Sequence, residues 1–112
     1  MAADRITAEN LGDRMFEAAK DALGSKFALV KVYLQAESDK LAITLRMILE
    51  GVASGDISKA EAKILLNQQK VAASAVLTAA EGMTAVAVQS ALNAALKVVK
   101  TFVDGKLGFA LL

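Results

Sequence analysis

The sequence contains no cysteine, histidine, proline or tryptophan. Without cysteine and histidine, the chain has no disulfide, no zinc site of the usual ligands, no thiol nucleophile and no imidazole for acid–base catalysis. A ferritin-like di-iron centre, which needs Glu-x-x-His pairs, is excluded for the same reason. Glycine-rich phosphate-binding motifs are absent as well. We therefore expect no catalytic residue, no cofactor, no metal site and no enzymatic activity.

An excess of one charge is also missing, since 13 basic side chains face 12 acidic ones. The three arginines, Arg5, Arg14 and Arg46, are isolated, and only five residues are aromatic. Nucleic-acid surfaces cluster basic residues and often interleave aromatic ones, so nucleic acid is not an expected partner. The first ten residues lack the apolar core and cleavage site of a signal peptide. The expected location is the cytoplasm or a multi-protein assembly.

Alanine is abundant, at 23 of 112 residues, and apolar residues recur at helical rather than alternating spacing. These features predict one all-α domain over residues 1–112. The predicted helices cover residues 7–23, 25–53 and 58–103. Thr7 is the expected N-cap of the first, and Ser58 with Glu61 forms a capping box at the third. The expected architecture is a helical hairpin or a four-helix bundle, with a short N-terminal helix and a long Ala-rich third helix.

The third predicted helix has two alternative forms. A continuous helix of 46 residues would be about 69 Å long. A compact domain of this size, by contrast, has a radius of gyration of about 13 Å. A break at Glu81 and Gly82 would give four helices. An interior glycine costs only about 1 kcal/mol, so the sequence leaves both forms open.

Residues 71–96 contain a single charge, Glu81, and ten alanines. The length is sufficient for a membrane span, and this favours a membrane-active protein as one alternative. The acidic residue in the middle of the segment and the scattered polar residues argue against it.

Packing against protein fits this segment better, because small residues recur on one face and larger ones on another. Such a helix is buried on several sides, which predicts a homo-oligomer. The predicted interface residues are Ala73, Ala80, Ala87, Ala91, Ala94, Ala95, Leu77, Val88, Leu92 and Val99.

The tail, residues 105–112, places Leu107, Phe109, Leu111 and Leu112 between and beyond glycines. It is too short to form a stable helix of its own and too apolar to remain in water, so we expect it to dock. It either folds over its own chain or inserts into a neighbouring copy or a lipid surface.

Three polar features are less specific. Glu9, Asp13, Glu17 and Asp21 form an acidic ladder that is typical of a solvated helix face but could attract a basic partner. The group Asn67-Gln68-Gln69-Lys70 marks either a water-facing stretch or buried hydrogen bonds that set helix register. Glu37 interrupts the apolar seam of the second helix.

The predicted function is that of a non-enzymatic structural protein that self-associates through its third helix. It would be a subunit of a multi-copy assembly such as a virion component, a secretion apparatus or a filament, with other assembly proteins as further partners. The first alternative is a membrane-active protein that forms a pore or channel by inserting residues 71–96. The second is a small helical adaptor that binds one protein partner.

Overall fold

A computed structural model of the chain describes residues 5–112, and within this range all regular structure is helical. The all-α prediction is confirmed. Four α-helices follow one another: α1 (Leu11–Leu23), α2 (Phe27–Ser54), α3 (Lys59–Thr78) and α4 (Ala85–Leu107). A turn of 3-10 helix precedes α1 at Ala8–Asn10 and another precedes α2 at Gly24–Lys26.

Local capping accounts for two helix starts. Thr7 Oγ1 accepts a hydrogen bond from the Asn10 amide, and Asn10 Oδ1 accepts one from the Thr7 amide at 2.8 Å. The predicted capping box at Ser58 and Glu61 is present. Hydrogen bonds from the Ser58 backbone amide and from its side chain hold the pKa of Glu61 below its usual value.

Of the two forms that the sequence leaves open for residues 58–103, the structure has the broken one, because the chain leaves the helix after Thr78 and starts a new one at Ala85. Gly82 has φ +85°, which a residue with a side chain rarely adopts. Thr84 Oγ1 then accepts from the Ala87 amide and caps α4. The Leu29 side chain of α2 packs against this turn, 3.4 Å from where a Cβ on Gly82 would lie.

Two further boundaries differ from the prediction. The second helix begins at Phe27 instead of residue 25, because Gly24–Lys26 forms the 3-10 turn. Helix α4 continues past residue 103 to Leu107, since Gly105 remains helical and the left-handed Gly108, with φ +80°, ends the helix.

The core lies where the four helices face one another. Helix α1 packs along α4 and against α2; α2 also packs against α3, and α3 touches α4 over a smaller area. Helices α1 and α2 approach closely at Gly12, where an added Cβ would lie 2.8 Å from Asp39 Oδ1. The molecule is flattened, with extents of 43 × 34 × 19 Å. The largest fully buried side chains are Leu11, Met15, Leu34, Leu41, Leu45, Ile48, Leu77, Val30, Val88, Val99 and Val103.

Candidate interaction surfaces

The residues predicted as an oligomer interface lie mostly inside the chain's own core. Seven of the ten are buried: Ala73, Leu77, Val88, Ala91, Leu92, Ala95 and Val99. The remaining three, Ala80, Ala87 and Ala94, are half-buried. The reason is the turn at Gly82, which lets α4 fold back and cover faces that a continuous helix would have left open. Apolar side chains that are free to contact other molecules therefore lie elsewhere on this chain.

The outward face of α2 carries the first such surface. Leu29, Val32, Tyr33, Ile43 and Met47 are between 42% and 79% exposed. Their spacing of three, one, ten and four residues along the helix places them on one side, opposite the buried seam. We call these five residues the α2 stripe. The apolar seam predicted for the second helix corresponds to the buried side of α2. The second, exposed apolar face was not predicted, although the same spacing rule identifies it.

The α2 stripe has an approximate mirror spacing about Ser38. Leu29 and Met47 lie nine residues to either side of it, and Tyr33 and Ile43 lie five to either side. Lys40, the charged residue between the two halves of the stripe, has a side chain that is 57% exposed. Helices that pair antiparallel about a twofold axis bring such mirror-related positions together.

Lys40 is anchored by a buried acid. Its Nζ donates to Glu37 Oε2 at 3.1 Å, and the Glu37 side chain is only 5% exposed. The other carboxylate oxygen, Oε1, has no hydrogen-bond partner among the residues the structure describes. A buried oxygen without a partner costs free energy relative to the unfolded chain, where water satisfies it.

A groove between α3 and α4 is the second surface. Three adjoining cavities share Lys70 as a lining residue, and the largest has a volume of about 550 Å³. Ser74, Ala75, Thr78 and Ala85 line this largest section, and their small side chains leave the space between the helices open. We call the three sections together the lysine groove.

The lining of the lysine groove combines three kinds of side chain. Leucines that also belong to the core form its floor: Leu66, Leu92 and Leu96. Side-chain amides lie along it: Asn67, Gln89 and Asn93. The cations are Lys63 and Lys70 from α3, and Lys97 and Lys100 from α4. No acidic side chain of residues 5–112 lines it.

The predicted docking residues of the tail pack against the chain's own core, and all four are half-buried: Leu107, Phe109, Leu111 and Leu112. In this single copy the tail folds over its own chain, and its insertion into a neighbouring copy or a lipid surface stays a prediction. Leu111 and Leu112 close one end of the lysine groove. The Lys59 Nζ lies 5.1 Å from the centre of the Phe109 ring, a cation–π contact.

Asp104 holds this tail in place. Its Oδ1 accepts from the amides of Leu111 at 2.9 Å and Leu112 at 3.1 Å, and its Oδ2 accepts from Lys100 Nζ at 2.7 Å. Partial burial opposes ionisation of this carboxyl. The hydrogen bonds from Lys100, Leu112 and Leu111 outweigh that effect and lower the pKa of Asp104. Lys100 Nζ also donates to the carbonyl oxygen of Leu112.

The polar group predicted at residues 67–70 divides between surface and groove. Asn67 and Lys70 line the lysine groove, whereas Gln68 is exposed to solvent. The acidic ladder Glu9, Asp13, Glu17 and Asp21 is exposed along its whole length. Within residues 5–112, no group of three or more acidic side chains is arranged to hold a metal ion.

Residues 71–96 do not form one helix, since they contain the end of α3, the Gly82 turn and the start of α4. Within residues 5–112, one helix, Ala85–Leu107, has the length and apolar character to cross a membrane, with a mean hydropathy of 1.2 over an 18-residue window. The chain itself buries 39% of that 18-residue window. Core helices of water-soluble proteins meet the same criteria.

No protein-family model matches the chain, and neither curated proteins nor solved structures give a match. The two surfaces are therefore interpreted from their own chemistry.

Proposed function

We propose that this protein is a non-enzymatic subunit that self-associates through the α2 stripe. The observation that supports this is a row of five large apolar side chains left exposed along one face of a single helix. Contiguous exposed apolar surface of this kind is typical of protein interfaces. The self-association proposed from the sequence is thus retained, but its surface moves from the third predicted helix to α2.

The mirror spacing about Ser38 favours an antiparallel pair of α2 helices related by a twofold axis. In that arrangement Leu29 meets Met47 of the second copy, and the small Ala36 faces Lys40. Lys26 and Glu50, each twelve residues from Ser38, come to the same level with opposite charges. Apolar side chains therefore meet apolar ones, and Lys40 does not meet its own copy.

The size of the stripe indicates the strength of the pair. From Leu29 to Met47 the helix rises about 27 Å, and a strip about 10 Å wide offers roughly 300 Å². Stable interfaces bury about 800 Å² on each partner. Because the stripe is smaller than that, we expect a weak, reversible dimer, which further contacts extend in a multi-copy assembly.

The first experiment is light scattering on a sizing column over a range of protein concentrations. The wild-type chain should shift from 11.7 kDa toward twice that mass as concentration rises. Val32→Glu places a charge within the stripe and should leave a monomer. Val86→Glu is the matched control, since Val86 is 80% exposed and Val32 is 79% exposed, and it should dimerise normally. A wild-type chain that stays monomeric at millimolar concentration would refute the proposal.

Cysteine crosslinking tests the relative orientation of the two α2 helices. Because the chain has no native cysteine, any crosslink forms at the introduced residue. In an antiparallel pair, Ala36→Cys lies about 6 Å from its own copy along the helix axis, and a short bis-maleimide should crosslink the two copies. Met47→Cys lies about 27 Å from its copy along the helix axis and should not be crosslinked. In a parallel pair both variants would crosslink, which would contradict the proposed arrangement.

Membrane insertion is a second candidate, favoured by the length and mean hydropathy of Ala85–Leu107. Helix α4 would have to leave its packing along α1 to enter a bilayer. Insertion predicts that vesicles protect residues 85–107 from hydrogen exchange and expose the α4-facing side of α1. If exchange of α1 is unchanged in the presence of vesicles, this candidate is rejected.

A further inference from the structure

We propose that the lysine groove is a binding site for an acidic amphipathic helix of another protein. The occupant would place apolar side chains against the exposed apolar lining of the groove, which Val71, Ala75 and Ala85 form, and carboxylates against the lysines. This site is distinct from the α2 stripe, because its lining residues come from α3, α4 and the tail.

Charge is the first argument. Lys63 and Lys70 line the groove from α3, and Lys97 and Lys100 line it from α4. Lys100 is occupied by Asp104 and Leu112, whereas Lys63, Lys70 and Lys97 form no ion pair with an acidic side chain of residues 5–112. Like charges around an open apolar groove favour an occupant of opposite charge.

The tail shows how the groove accommodates a segment of polypeptide. Leu111 and Leu112 lie at its end and line it with apolar side chains. At the same place Lys100 donates to the carbonyl oxygen of Leu112. The chain's own segment thus uses the combination that we assign to the partner, namely leucines inside the groove and an oxygen acceptor facing a lysine.

Shape favours a helix as the occupant over a lipid bilayer. The section free of the tail, from Asn67 to Thr78, is about 17 Å long, which matches three helical turns. The groove is a concave trough, and a rod with an apolar edge fills it in the manner of other helix-in-groove complexes. A planar bilayer surface would leave the apolar lining of this trough uncovered.

A second copy of this chain does not supply such a helix. Its exposed acidic ladder on α1 carries Glu9, Asp13, Glu17 and Asp21, but the apolar residues of α1 are directed into its own core. Carboxylates alone cannot cover the exposed apolar lining formed by Val71, Ala75 and Ala85. The occupant is therefore expected to come from a different protein.

The test uses the full chain and a synthetic 15-residue peptide. The peptide has leucines spaced three and four residues apart, glutamates beside them and alanines elsewhere; a second peptide replaces each glutamate by lysine. We expect the acidic peptide to bind, and to shift the side-chain amide NMR signals of Asn67, Gln89 and Asn93. The lysine peptide should bind at least tenfold more weakly.

Variants assign the binding to the groove. Lys70→Glu should weaken binding of the acidic peptide at least tenfold, because Lys70 lines all three sections of the groove. Lys31→Glu changes the net charge equally at an exposed position of α2 and should bind as the wild type does. Circular dichroism establishes that both variants are folded.

Three results would overturn the proposal. The first is no binding of the acidic peptide, and the second is equal binding by Lys70→Glu and the wild type. The third is Lys70-dependent binding to vesicles of phosphatidylglycerol and phosphatidylcholine without peptide binding, which would assign the groove to anionic lipid. The monomeric Val32→Glu variant should bind the peptide normally, so failure of the dimer proposal and failure of this one are distinguishable.

Discussion

The α2 stripe and the lysine groove both expose apolar side chains, but they differ in shape and charge. The stripe lies on the convex surface of one helix, with Lys40 as the charge at its centre. The groove lies between two helices and is lined by four lysines. Two stripes can face each other without conflict, whereas two grooves would repel each other. The proposed self-association and the proposed binding of an acidic partner therefore use separate surfaces of the same small molecule.

The two surfaces should differ most in the free energy of unfolding that is lost when one apolar side chain in each is truncated. Leu92 is 4% exposed and serves both the groove floor and the core, so Leu92→Ala should lower the free energy of unfolding by about 2–5 kcal/mol. Met47 is 56% exposed, and Met47→Ala should change monomer stability by less than about 0.5 kcal/mol while weakening dimerisation. Urea unfolding at low protein concentration measures both. Equal losses would show that the stripe is part of the core.

Removal of the acid beneath the stripe is expected to have a smaller effect of the opposite sign. Glu37→Leu eliminates the buried oxygen that lacks a partner and restores the apolar seam of α2, so the free energy of unfolding should rise by about 1–3 kcal/mol. Glu50→Leu, at an exposed position of the same helix, should leave it nearly unchanged. A loss of stability in Glu37→Leu would mean that the Glu37–Lys40 contact contributes more than the unpartnered oxygen costs.

Salt should distinguish the two surfaces without any mutation. An increase from about 0.05 M to about 0.5 M NaCl screens the lysines and should weaken binding of the acidic peptide several-fold. The dimer formed by apolar side chains should be unchanged or slightly tighter. Isothermal titration and light scattering in the same buffers test this. A dimer that dissociates in salt would show that Lys40 and its neighbours dominate that contact.

The smallest expected effect is local, at the end of the groove that the tail closes. Because the pKa of Asp104 is lowered in the folded chain, the tail contact is stable above the usual aspartate pKa of about 3.9. It is lost as the pH falls through the lower folded pKa. Hydrogen exchange at the amides of Leu111 and Leu112 should then accelerate relative to the core. Asp104→Asn should show the same acceleration at neutral pH, and an unaltered exchange rate there would contradict the assignment.

The helices could be predicted from local signals, but the surfaces could not. The capping box at Ser58 and Glu61 and the Gly24 turn are encoded within a few residues. The break at Gly82 was left open because one interior glycine costs too little to decide it. Packing of α4 along α1, a contact between distant parts of the chain, favours the broken form. The lysine groove depends on that break, since Lys70 and Lys97 face one trough only after α4 folds back.

The α2 stripe illustrates a different limit. Its spacing was visible in the sequence, yet a helix with apolar residues on two faces does not reveal which face its own chain covers. Val30, Leu34 and Leu41 meet the core because α1 and α3 flank that side. Val32 and Ile43 lie on the other side and remain exposed, although the Gly82 turn packs against Leu29 there.

The packing of α1 along α4 also determines the order in which this protein can fold. Helices α2 and α3 are joined by the short turn at Gly55 and can pair as soon as both exist, whereas α1 and α4 are separated by most of the chain. During synthesis, the face of α1 that α4 covers stays open until α4 leaves the ribosome. At elongation rates of about 5–20 residues per second, this interval lasts about 4–20 s. Helix α1 is thus the first helix to be synthesised and the last to have its packing completed. We expect chaperones to bind the nascent chain mainly at α1.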